Sequence, residues 1–151
     1  MTITLYTNTI LAEVRQKSHL EVQDIADAEA RDNARAGVEK TDEIERCILY
    51  GIKQVSRRLI RFLHEGITMS TDNTGALEAS YAFALDFAER RAINKAEPLE
   101  DAMHNFVVQR ALEKFCISVN QLDRAKKHAV EAEEYGDQID EMMYHKQPPR
   151  V

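Results

Sequence analysis

Ile44, Ile48, Ile52, Val55, Leu59, Phe62 and Leu63 recur at helical intervals, and no other spacing in the chain constrains its fold as strongly. A helix turns about 100° per residue, so these side chains gather on one half of its surface. Arg46, Lys53, Arg57 and Arg61 fall together on the opposite half, with Arg58 toward the flank. The spacing predicts an amphipathic helix over 42–66. Asp42 and Glu45 form a capping-box-like start, and Gly66 is a natural C-cap. The apolar side belongs against a core and the basic side faces outward.

Sparse punctuation points the same way. Only 5 Gly and 3 Pro occur in 151 residues, which favours long helices over a many-stranded β fold. With 44% hydrophobic and 30% charged residues, the composition is that of a soluble globular chain rather than a disordered one. Residues 1–151 fit one domain. No run approaches the roughly 18 apolar residues that span a bilayer. "MTITLYTNTILAEV" lacks the basic and continuously apolar regions of a secretory signal. The expected setting is cytoplasmic, with no membrane partner.

On the N-terminal side of the amphipathic helix, residues 1–8, "MTITLYTN", read as an extended arm, and Thr9 can cap a short helix carrying Ile10, Leu11 and Val14. "DIADAEARDNARAGVEK" is Ala-rich and acidic, with good helix composition but a thin apolar face. Together these make up 9–40. Residues 67–79 are a turn-rich connector. Within the helical core, 80–144, "SYAFA" alternates as a strand does, while the Ala content and the run into "ERRAINKA" favour a helix over 84–95. Pro98 suits the first turn of a new helix, and Glu100 and Asp101 lie near its positive end. Met103, Phe106, Val107, Ala111, Leu112, Phe115, Cys116 and Val119 make that helix apolar over most of its circumference. The last helix, 122–144, bears a stripe of Ala125, Ala129, Ala132, Gly136, Ile139 and Met143, which lets another helix approach closely. "HKQPPRV" is an extended tail. The fold class expected is all-α, a compact bundle of four to five helices with extended terminal arms.

Catalytic chemistry finds no foothold in this pattern. Asp101 with His104, and Glu141 with His145, are spaced to share a helix face, but a metal site in a helical bundle needs several such donors converging from different helices. Cys47 and Cys116 sit in apolar helical patterns without a neighbouring Cys or His, and read as buried free thiols. The glycines are too scattered for a phosphate-cradling loop. The residues therefore assign no catalytic group, no metal and no cofactor.

Charge is the remaining signal. The formal net charge is -6, yet the 46–61 segment holds five basic residues and no acidic one. Residues 21–45 carry nine Asp or Glu against three Lys or Arg, a second basic group lies at Arg90, Arg91 and Lys95, and acids crowd 131–141. A basic face is most simply a solvated surface, or one paired with the acids of 21–45. Its functional alternative is contact with phosphates or with an acidic protein surface. Complementary blocks on one molecule also suit a self-assembling ring. Arg46, Lys53, Arg57 and Arg61 are the expected electrostatic contact face.

The layout of a short helix, the helix "DEIERCILYGIKQVSRRLIRFL", a turn-rich connector and then "EPLEDAMHNFVVQRALEKFC" resembles the small head–tail connector (adaptor) proteins of tailed bacteriophages and prophages. The resemblance spans roughly residues 40–120 and is one of pattern. It implies an all-α, non-enzymatic protein that forms a ring homo-oligomer between portal and tail or stopper proteins, around the DNA channel. The implied location is the virion neck, after assembly in the host cytoplasm. The arms "MTITLYTN" and "HKQPPRV" would suit contacts with neighbouring subunits. The segment 24–40 and the long final helix exceed the minimal family layout, which leaves open a different helical virion protein. The alternative outside virions is a helical regulatory module that binds nucleic acid or a protein partner.

Overall fold

The computed structural model describes residues 2–63, 77–85 and 89–143, with 89–96 described by backbone alone. The elements run β1 (Thr2–Tyr6), α1 (Thr7–Val22), α2 (Ala28–Ala34), a 3-10 turn (Val38–Lys40), α3 (Thr41–Arg58), β2 (Ser80–Ala84), α4 (Glu89–Ser118) and α5 (Leu122–Met143). Among the described residues the bundle is helical apart from one small antiparallel ribbon. Among the described residues, no helix is long and apolar enough to cross a membrane.

The ribbon corrects two expectations. Thr2–Tyr6 is a strand, extended as expected but not a free arm: it pairs with β2 in the register Ile3 opposite Phe83 and Leu5 opposite Tyr81. The alternation of Ile3 and Leu5 with Thr and Tyr turns both apolar side chains inward, where each is almost wholly buried. Phe83 covers them from β2. The strand reading of "SYAFA" therefore wins over the helical one, and the next described helix starts at Glu89. Helix α1 begins at Thr7, before Thr9, with no side-chain cap. Strand pairing fixes the chain up to Tyr6, and Thr7 uses its amide on the Ala79 carbonyl and its hydroxyl on that of Glu78.

The acidic Ala-rich stretch is helical only over Ala28–Ala34, where Asp27 caps the helix by accepting from the Glu29 amide at 3.1 Å. With so thin an apolar face it gains little from packing. Lys40 closes it, donating to the carbonyls of Asp32, Asn33 and Arg35 near its C-terminal end. The Ala36 amide then donates to the buried Ser18 hydroxyl, tying the loop to α1.

In α3, Ile44, Ile48, Ile52 and Val55 are fully buried, as the spacing requires. Both ends differ from expectation. The 3-10 turn runs straight into Thr41, so the chain is already wound when it reaches Asp42; the N-cap is Lys40 and no capping box forms. At the other end the helix stops at Arg58, and Leu59 and Phe62 close a tight turn, Phe62 N bonding Leu59 O at 2.8 Å. Gly66, the expected C-cap, lies outside the described residues, as do most of the 67–79 connector and the tail 145–151.

Pro98 does not open a new helix; it lies inside α4. Proline in a helix interior costs about 3 kcal/mol or more. Leu99, Ala102, Met103 and Phe106, all 2% exposed or less, follow immediately. Each fully buried large side chain contributes about 1.5–3 kcal/mol, enough together to hold the helix through the proline. Asn120, at φ 59°, reverses the chain between α4 and α5, and Gln121 N bonds Cys116 O at 2.8 Å. Two glycines set the helix spacing. A Cβ on Gly51 would come within 2.8 Å of the Val107 carbonyl oxygen, so α3 crosses α4 almost backbone to backbone there. Gly136 makes room for a side chain, that of Arg58.

Candidate functional site

The basic residues of 46–61 do two different things. Arg46 and Arg57 stand exposed on the outer side of α3, and Lys53 is half-buried. Arg61 is also exposed, but from the turn after the helix rather than from the helix itself, because α3 ends at Arg58, well short of the end that the periodicity suggests. Between Arg57 and Arg61 the side chain of Ile60 is 67% exposed. The corner thus exposes one isoleucine between two exposed arginines in the sequence.

Arg58, on the flank, turns inward across the bundle. Its Nε and Nη2 donate to the two carboxylate oxygens of Asp140 at 3.0 and 2.8 Å, and Glu133 and Asp137 lie at 3.5 and 3.4 Å. Burial alone would lower the guanidinium pKa, but the hydrogen bond and charge of Asp140, with Glu133, outweigh it and hold the proton more tightly. Arg110 on α4 shares one of these acids, pairing with Glu133 as well as with Glu113 of its own helix at 2.7 Å. Arg58 and Arg110 both lie against the Phe106 ring, 5.7 and 5.4 Å from its centroid. Pairing of basic 46–61 with acids therefore reaches the 131–141 block of α5.

The spaced pairs have separate fates. His104 bonds Glu13 of α1 through Nε2. Burial pushes the Glu13 carboxyl up, but the His104 hydrogen bond and charge, together with Lys17, leave it below its ordinary value. Beside this pair is an open cavity of about 240 Å³, lined by Thr4, Leu5, Tyr6, Thr9, Glu100, Asp101 and His104. Glu141 is exposed, and His145 lies outside the described residues.

A cluster that the spacing does not announce sits where α1, α4 and α5 meet. Glu21, Cys116 and His128 each offer one donor atom, all within 4.8 Å of one another. His128 is 2% exposed; its Nδ1 lies 2.6 Å from Gln109 Oε1, and its Nε2 2.7 and 2.9 Å from the two Glu21 oxygens. This corrects the expectation that Cys116 has no histidine neighbour. Burial, then the Glu21 charge, push the Cys116 thiol up to about 12, while burial and Glu43 do the same for Cys47. One sequence signal did exist: His128 stands three residues after Ala125 and four before Ala132, on the small-residue face of α5. Its two partners lie on other helices and share no spacing with it.

Compared with protein-family models, curated proteins and solved structures, the chain finds no match.

Proposed function

We propose that this chain is a structural assembly protein of the phage head–tail connector type, non-catalytic, acting through a ring of identical subunits between portal and tail or stopper proteins at the virion neck. The observation that carries the reading is the corner of Arg57, Ile60 and Arg61. An exposed isoleucine flanked by arginines has the composition of a protein interface, where apolar anchors and Arg are enriched. Exposed acids on α5, Glu134, Asp137 and Glu141, offer the complementary charge on the same molecule. A basic corner meeting an acidic face on the next copy is a heterologous contact, the kind that closes into a ring. Arg46 and Lys53 extend the basic surface toward a partner subunit or toward channel DNA.

Native mass spectrometry of the purified chain at high concentration and low salt tests this. A ring-sized homo-oligomer is expected, and a strictly monomeric chain under those conditions rejects self-assembly. The second reading, a regulatory module binding nucleic acid or a protein, is favoured by the same exposed arginines. It predicts that the monomer binds duplex DNA with a steep salt dependence, whereas a connector subunit binds DNA weakly before assembly.

A further inference from the structure

We propose that Glu21, Cys116 and His128 form a binding site for a divalent cation of the zinc type, held by one carboxylate oxygen, one thiolate sulfur and one imidazole nitrogen. The three donors come from α1, α4 and α5, so the ion would staple the first helix onto the final helical hairpin.

The geometry around His128 leads to this assignment. Gln109 Oε1 lies 2.6 Å from its Nδ1 and the two Glu21 oxygens 2.7 and 2.9 Å from its Nε2. In the tautomer that carries its proton on Nδ1, Gln109 accepts that proton and the Nε2 lone pair faces the Glu21 carboxylate. An outer hydrogen bond of this kind orients metal-ligating histidines. Lone pair and carboxylate repel unless a cation lies between them. A proton there would engage only the Glu21–His128 pair. Cys116 is the third donor, one that a proton leaves idle and a metal uses.

The donor set selects the ion. Mixed sulfur, nitrogen and oxygen ligands suit zinc and its neighbours, whereas calcium and magnesium prefer oxygen alone. With bonds of about 2.0–2.3 Å, donors around a tetrahedral zinc stand on the order of 3–4 Å apart. The contact of 2.7 Å between Nε2 and Glu21 must therefore open, and the 4.8 Å limit of the cluster must contract slightly. Glu21 can make that adjustment, because its side chain is 22% exposed while that of His128 is 3% exposed. The same open side gives the ion a way in and leaves the fourth position to water. Glu21 and Cys116 both lie in the last turns of their helices, where the dipole's negative end favours a cation. Binding replaces the Cys116 thiol proton by the metal and releases that proton to solvent.

Cobalt(II) added to the metal-free full chain tests the site. One equivalent is expected to give a thiolate-to-cobalt charge-transfer band, with zinc displacing it and raising the melting temperature on the order of 5 °C at a hundredfold excess over Kd. The band should vanish in Cys116→Ser and persist in Cys47→Ser. Because Cys116 is buried and its replacement can unfold the chain, Glu21→Gln at the solvent edge is the second variant; it should keep the fold and lose at least tenfold in affinity. No charge-transfer band in the wild type, or equal affinity in Glu21→Gln, overturns the proposal. These readouts need no oligomer, so they leave the assembly reading untouched whichever way they fall.

Discussion

The guanidinium of Arg58 lies directly over the backbone of Gly136: a Cβ on that glycine would come within 2.5 Å of its central carbon. The small-residue stripe of α5 thus serves two purposes. Ala125 and Ala132 are buried in the bundle, while Gly136 leaves a trough for a charged side chain arriving from α3.

Gly136→Ala should consequently change sign with its background. Alanine gains about 0.5–1 kcal/mol over glycine inside a helix. In the wild type it must push Arg58 off Asp140, a partly exposed bidentate pair, and the net effect is a destabilisation of roughly 1 kcal/mol. With Arg58→Ala in place, the same substitution should stabilise by about its propensity gain. Urea unfolding of the four members of this cycle measures the coupling. Additive effects would mean that Arg58 does not occupy the trough in solution.

Gly51→Ala carries no such escape. The new methyl would face the Val107 carbonyl oxygen at 2.8 Å and its Cγ1 at 3.1 Å, and a helix backbone cannot swing aside as a long side chain can. The substitution should destabilise by roughly 2–3 kcal/mol through separation of α3 from α4. A urea midpoint within error of wild type would show that the two backbones do not meet so closely in solution.

The Glu13–His104 pair should mark the acid limb of stability. The Glu13 carboxyl lies below its ordinary value when folded, so it binds protons less readily there than in the unfolded chain. Its contribution is complete above the unfolded carboxylate value of about 4.3 and is lost as pH falls through the lower folded value. Glu13→Gln should therefore be less stable than wild type at about pH 5 and converge with it by about pH 2. Parallel pH profiles for the two proteins would remove Glu13 from the acid response.

Charge reversal at the exposed corner separates assembly from folding. Arg57→Glu with Arg61→Glu should abolish the oligomer while shifting the unfolding free energy by no more than about 0.5 kcal/mol, the usual range for surface positions. Unfolding of the domain instead would place that face inward. Replacing Ile60 with Ser should weaken assembly with equally little effect on the fold.

Much of the bundle was legible because periodicity reports burial. Ile44, Ile48, Ile52 and Val55 on α3, and Met103, Phe106, Val107, Ala111 and Leu112 on α4, are buried where the wheel puts them. Element ends were harder to read. Asp42 looks like a cap, but the preceding turn had already wound the chain, and Pro98 looks like a start, but packing carries the helix through it. "MTITLYTN" looks like a free arm because the strand that completes it lies more than seventy residues away.

Local residue patterns were enough to specify that the chain is helical, which sides of α3 and α4 face the core, and that the 46–61 segment presents positive charge. Those properties depend on residues a few positions apart, which the helix brings together unaided. It took the folded chain to show that Arg58 leaves the basic face for Asp140, that Arg61 stands on a turn, and that Glu21, Cys116 and His128 share one corner. The first and last of these join elements far apart in sequence, whose side chains meet only once the core has packed, whereas the second follows from where α3 stops, at Arg58.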